Sequence, residues 1–251
     1  MSKAAQLVQL LREEMPISLA PYRLPKAEIG LVIVDIVNGF ATVGAGNLAP
    51  QVPNDQITRM IDVANRLARR FSERRWPILA FLDTHEPGKP EPPYPPHCER
   101  GTGEENFVPA LEWLDHDPHA TLIRKDCIND YVGAAEWSPA RGQHGVTHNR
   151  CVDWINGHRL HTVIAVGICT EICVADFCGT LLSARNHGLM PTLKDVVVLE
   201  PGCATYDLPM ETVRALGLPE TAAHPQAAAH HIGLYTLAAR GAVLATEIEG
   251  L

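Results

Sequence analysis

The 251-residue chain has no stretch approaching the roughly 18 uncharged apolar residues that a membrane span needs. It has no run of Lys or Arg, and its net charge is −8, which argues against nucleic acid or an anionic membrane as partner. Its N-terminus, "MSKAAQLVQLLREEMP", spaces its leucines as a helix does but lacks the continuous apolar core of a signal peptide. Glu13 and Glu14 disfavour a transit peptide. No internal repeat occurs, and no Cys-x-x-Cys, so a thioredoxin-type redox motif is absent. Seven cysteines, an odd number without a signal peptide, point to reduced thiols in the cytoplasm.

What is present is an ordinary soluble composition, 46% hydrophobic and 20% charged, with ample material for a core. Six short apolar runs read as buried strands, each followed by polar or Gly/Pro punctuation. They are "GLVIVDIV" from Gly30, "WPILAFLDT" from Trp76, "TLIRKD" from Thr121, "HTVIAVGIC" from His161, "DVVVLE" from Asp195 and "GAVLAT" from Gly241. Helical periodicity lies between most of them. Ile57, Met60, Ile61, Ala64 and Leu67 share one face, as do Val174, Phe177, Leu181 and Leu182. Strands apolar on both sides and alternating with helices predict a single-domain α/β fold. Its sheet is expected to be mostly parallel and six-stranded, Rossmann-like, with helices on both faces. Residues 1–27 read as an N-terminal helical extension and 28–251 as the domain. The segment "PGKPEPPYPP", 87–96, has proline at six of its ten positions. It is expected to be a rigid loop over one end of the sheet, because the two strands before it cannot close a core alone.

Ligands of parallel α/β sheets sit outside the carboxyl ends of the strands. Asp35, Asp83 and Lys125 stand at or just past the ends of the first three runs, and Cys173 follows the fourth by one tight turn. Each alone has a dull explanation: a helix cap, a surface ion pair, a buried small hydrophobe. Their arrival at one sheet edge points to a site. The stretch "CTEICVADFC" holds three cysteines, but its spacing, with no second pair elsewhere, does not suit structural zinc. Reading Thr170 as N-cap puts Cys173 at N3, in the first turn of a helix, where dipole and free N–H groups favour a thiolate. Backbone N–H groups there can also hold an oxyanion. Cys169 and Cys178 read as packed. None of the twelve histidines is placed by spacing beside Cys173. Asp35, buried among Val32, Ile33, Val34 and Ile36, can instead act as base if burial raises its pKa, with Lys125 supplying positive charge. Asp83 and His85 alternate on a strand end and can face one cleft. A third ligand from the proline-stiffened loop would leave open positions on an ion such as Zn, Fe or Mn.

"LVIVDIVNGF", "RKDCIN" and "VGICTEICV" resemble the isochorismatase-like cysteine hydrolases. "DTH" with "PYPPHCERGT" is similar to the nicotinamidases among them. "GNLAP", "ARNHG", "GCATYDLP", "AHPQ" and "HHIGLY" look like the plant-type nicotinamidases. The resemblance runs from about Gly30 to the C-terminus. It implies a catalytic triad of Asp35, Lys125 and Cys173, and one divalent metal ion on Asp83, His85 and His97. It further implies an oxyanion hole from the N–H groups of Cys169 and Cys173, formed with a cis peptide between Ile168 and Cys169. Phe40 and Tyr94, with Ile168, correspond to the substrate walls. A fourth metal ligand, Glu86, Glu91 or water, stays open.

The function so implied is hydrolysis of nicotinamide to nicotinate and ammonia through a cysteine thioester, feeding NAD salvage in the cytoplasm. Zinc is the expected metal, with Fe or Mn as alternatives, and the expected assembly is a homo-oligomer acting on a small molecule. Three rivals stand beside it. One is a related hydrolase of another small amide, such as a pyrazinamide-like, maleamate or ureido compound. Another is a metal-dependent hydrolase with a structural Cys173, and the third a non-catalytic binder on the same fold.

Overall fold

The computed structural model describes residues 3–89, 91–137 and 146–251. Met1 and Ser2 of the expected extension and Pro90 of the expected loop lie outside the described residues. The first half of the chain forms α1 (Lys3–Glu14), β1 (Ala20–Arg23), β2 (Ile29–Val34), α2 (Asn38–Ala41), α3 (Asp55–Glu73), β3 (Ile78–Asp83) and β4 (Ala120–Lys125). Then come α4 (Asp130–Gly133), β5 (Ala135–Trp137), β6 (Val146–Asn149), α5 (Arg150–Gly157), β7 (Thr162–Ile168) and α6 (Cys173–Asn186). The chain closes with β8 (Asp195–Ala204), α7 (Met210–Ala215), α8 (Gln226–Ala239) and β9 (Val243–Glu249). No helix among the described residues is long and apolar enough to cross a membrane.

Seven strands form one sheet in the order β1-β9-β8-β7-β2-β3-β4, every neighbouring pair parallel. The six expected strands are all there. The seventh, β1, was not expected: its four residues include a proline and are mostly exposed, so they carry no buried-strand pattern. Pro21 is tolerated because β1 is an edge strand. The Tyr22 hydroxyl anchors it, donating to Asp195 Oδ2 at 2.7 Å. The N-terminal segment is thus a helix followed by a strand that joins the main sheet. Its helix ends against α8, where His231 Nε2 lies 2.9 Å from the Met15 carbonyl. A short antiparallel pair, β5 and β6, stands apart from the main sheet.

The two-sided apolar strands explain the layers. On β2, Leu31 and Ile33 pack with Ile57, Met60, Ala64, Leu67 and Phe71 of α3, while Val32 and Val34 pack with Val174, Phe177 and Leu181 of α6. Asn54 starts α3 by accepting a hydrogen bond from the Ile57 N–H at 3.1 Å. From β2 the chain first builds outward through β3 and β4, then crosses back to lay β7 on the other side of β2. The switch point therefore lies between β2 and β7, and a crevice opens outside their carboxyl ends. The two strands touch closely there. A side chain at Gly167, whose φ is +144°, would bring its Cβ within 2.1 Å of the Val34 carbonyl oxygen.

Candidate active site

Asp35 follows β2 directly, in the left-handed backbone region (φ 51°) that aspartate tolerates better than most residues. It is fully buried, and Lys125 Nζ at the end of β4 lies 2.7 Å from its Oδ2. The same ammonium reaches Asp83 Oδ1 at the end of β3 at 3.0 Å. The Asp35 pKa is raised to about 6 overall: burial pushes it up most, Lys125 pulls it down, Asp83 pushes it up, and contacts from Lys125 and Cys173 lower it. Burial also works against the Lys125 charge, but Asp35, Cys173, Asp130 and Asp83 together hold its pKa well above the usual value. A buried lysine surrounded by carboxylates stays charged.

Cys173 is buried and is the first residue of α6. The expected N3 position is corrected to N1. Ile172 occupies the cap, and Thr170 caps nothing, because its Oγ1 donates to the Ala204 carbonyl at 3.1 Å. The expected thiolate is corrected too. Burial pushes the Cys173 thiol well above its ordinary value, and Lys125 offsets this only in part. Burial therefore favours a neutral thiol at rest beside Asp35.

The peptide between Ile168 and Cys169 is cis. Around the turn, the N–H groups of Thr170, Ile172 and Val174 donate to the Ala204, Cys169 and Cys169 carbonyls. Those of Cys169 and Cys173 have no acceptor among the described residues. Two free amides thus flank the Cys173 thiol.

Beyond Asp83 the cluster continues. Asp83 Oδ2 lies 3.1 Å from His85 Nε2 and 3.2 Å from His97 Nε2, and the ligand atoms of the three residues fall within 4.8 Å of one another. His97 Nδ1 is 2.8 Å from the Pro95 carbonyl, which can only accept. Nδ1 therefore carries a proton, which leaves Nε2 as the atom that would meet a metal ion. One carboxylate and two imidazoles, all buried, suit a transition-metal ion. Burial disfavours the Asp83 carboxylate, yet Lys125 and the two histidines outweigh that and hold its pKa far below the usual range. Glu91 Oε2 comes within 3.6 Å of both Nε2 atoms. Glu86 instead pairs with Arg100 on the surface at 2.8 Å. The proline-rich segment does fold over this end of the sheet. Phe40 and Tyr94 stand around His97, ring centroids 5.6 Å and 6.0 Å away, and Ile168 is buried at the end of β7.

One group escaped sequence reasoning. Asp130, at the start of α4, is fully buried with its Oδ1 3.6 Å from Lys125 Nζ. Burial and then Asp35 push its pKa well above the usual value, Lys125 only partly opposing them. The available signal was an acid one turn past the lysine, behind Asn129, which caps α4 by accepting from the Val132 N–H at 3.0 Å.

A cysteine, an acid and a lysine at a parallel sheet's switch point define the class to which comparison also leads. The isochorismatase domain model matches residues 30–246, and the chain belongs to the isochorismatase family. Within it, the chain is 49% identical to Nicotinamidase 1 of Arabidopsis thaliana over 223 residues, 89% of this chain and 87% of that protein. The fold is also that of the nicotinamidase of Bacillus subtilis, with a TM-score of 0.61 and 19% identity, over 87% of this chain and 99% of that one. A pyrazinamidase of Pyrococcus horikoshii, solved with zinc, superposes with a TM-score of 0.56 and 21% identity, over 86% and 98% of the two chains.

Proposed function

We propose that this protein hydrolyses nicotinamide to nicotinate and ammonia, and so returns the pyridine ring to NAD salvage. The observation that carries the reading is the shared carboxylate. Asp83 pairs through Oδ1 with the lysine that holds Asp35, and through Oδ2 with the two histidines. The candidate nucleophile and the candidate metal ligands thereby share one crevice, as a substrate with an amide beside a ring nitrogen requires. The identity to the Arabidopsis protein across most of both chains supports it.

In this reading Asp35 accepts the Cys173 proton as sulfur attacks the carboxamide carbon. The carbonyl oxygen gains the negative charge and takes hydrogen bonds from the Cys169 and Cys173 N–H groups. The C–N bond then breaks, nitrogen takes the proton from Asp35, and ammonia leaves a thioester. Water attacks that carbon while Asp35 takes its proton. The C–S bond breaks, the proton returns to Cys173, and nicotinate departs. Lys125 keeps Asp35 oriented and its charge compensated throughout. Asp83, His85 and His97, with Glu91 at their edge, would hold the metal, for which zinc suits the donor set. That ion, when bound, supplies a Lewis acid for the pyridine nitrogen. Phe40, Tyr94 and Ile168 would wall the ring, and its fixed position sets the amide in line with Cys173.

The test is ammonia release from nicotinamide beside benzamide and maleamate. Rapid turnover of nicotinamide alone supports the reading. Preference for maleamate would assign the chain to another small-amide hydrolase.

A further inference from the structure

Two segments matched the family resemblance without receiving a role, "AHPQ" and "HHIGLY". Both meet the turn between Cys169 and Cys173. Glu171, two residues before the nucleophile, accepts a hydrogen bond on Oε1 from Thr205 Oγ1 at 2.6 Å and lies 2.8 Å from His224 Nε2. The other ring nitrogen, Nδ1, lies 3.0 Å from the Tyr206 carbonyl oxygen. A carboxylate and a carbonyl only accept, so both nitrogens must carry hydrogen and His224 is an imidazolium. Burial opposes that charge, but Glu171 overcomes it and raises the His224 pKa. The ring lies flat on the Tyr206 phenol, centroids 3.8 Å apart and planes at 13°, as a cation on an aromatic face. Backbone hydrogen bonds between Leu208 and His224 close the segment on itself.

The turn is held from behind as well. Thr170 Oγ1 lies 2.7 Å from His230 Nδ1. Gly233 of α8 abuts Glu171 so closely that an added Cβ would lie 2.8 Å from its Cα and 2.9 Å from its N. Meanwhile Thr205 and Tyr206, just past the end of β8, run beside Cys169, and the Thr170 N–H donates to Ala204 at 2.9 Å.

We propose that Glu171 and His224 form a charged latch that positions the oxyanion turn. They are positioning residues: neither need touch the reacting atoms. The inference rests on the nicotinamidase reading, because the oxygen to be stabilised is that of the carboxamide. Loss of the latch leaves ring binding intact and loosens the two amides, so kcat suffers while KM does not.

The experiment uses the full metal-loaded chain with Glu171→Gln, His224→Ala and the double variant. It measures kcat and KM for nicotinamide, and inhibition by nicotinaldehyde, whose adduct with Cys173 places its oxygen at the same amides. Each single variant should lose on the order of ten- to a hundredfold in kcat, the scale of a 1 Å misplacement, with KM within about threefold. Nicotinaldehyde inhibition should weaken by the same factor as kcat. The double variant should match the worse single one, because members of one unit are not additive. Glu171→Gln keeps the side chain's shape and decides the matter if His224→Ala does not fold. An active wild type with Glu171→Gln within about twofold in both kcat and nicotinaldehyde inhibition overturns the latch alone, even if the melting temperature falls. A wild type that releases no ammonia from nicotinamide overturns the functional reading and the latch with it.

Discussion

The two halves of the sheet's carboxyl edge are built from opposite materials. On the β2–β3–β4 side, three carboxylates, Asp35, Asp83 and Asp130, are buried within a few ångströms of the buried Lys125 ammonium. On the β7–β8 side, the parts nearest Cys173 are backbone: a cis peptide, two amides with no acceptor among the described residues, and a turn clamped by Glu171, His224 and His230. The first half supplies charge, which must be paired because burying it alone is costly. The second supplies geometry, which must be braced because amides act only at the right distance. Cys173 sits where the halves meet.

The sharpest way to break this division is to remove the residue at the seam. Cys173→Ala should lose at least about a thousandfold in kcat, because the acyl-enzyme path disappears. Asp35→Asn keeps the shape and removes the base, and should fall nearly as far. The double variant should be little worse than either single one. Steady-state ammonia release measures all three; additive losses would place Asp35 and Cys173 in separate steps.

Stripping the metal with a chelator, or making His97→Ala, tests whether the charged half binds as well as activates. Nicotinamide KM should rise strongly and kcat fall by up to about a hundredfold through lost ring orientation. Benzamide has the same amide and no ring nitrogen, so its already slow rate should barely change. Equal loss for both substrates would put the ion in the chemistry itself.

The pH profile sharpens the same half. Burial raises Asp35 to about 6, so its basic form is lost as pH falls through that value, well before an exposed carboxylate would protonate. The kcat/KM for nicotinamide should be level above that pH and drop about tenfold per unit below it. Protonating a carboxyl whose folded pKa lies above its unfolded one does not itself destabilise the fold, so this loss should precede acid unfolding in circular dichroism. A profile flat down to pH 5 would remove Asp35 as the base.

The smallest expected effect concerns Glu91. Glu91→Gln should weaken metal affinity about tenfold while leaving Asp83, His85 and His97 to hold the ion. Glu86→Gln should change nothing, since that side chain faces Arg100. Metal titration of the stripped protein separates the two.

By itself the sequence determined six of the seven strands, the apolar faces of α3 and α6, and the arrival of Asp35, Asp83, Lys125 and Cys173 at one edge. These follow from local periodicity and from the rule that parallel strands end together, which neighbouring residues encode. It did not determine β1, whose four mostly exposed residues become a strand only because β9 offers an edge. Nor did it place Cys173 at N1, bring Glu91 rather than Glu86 to the two histidines, bring Asp130 to Lys125, or join Glu171 to His224 across 53 residues. Whether Cys173 rests as thiol or thiolate was likewise beyond local reading: the helix terminus favours the anion, but burial outweighs it. Each of these depends on distances between segments far apart in the chain, and on how completely water is excluded from between them. Only the packed tertiary structure sets those two quantities.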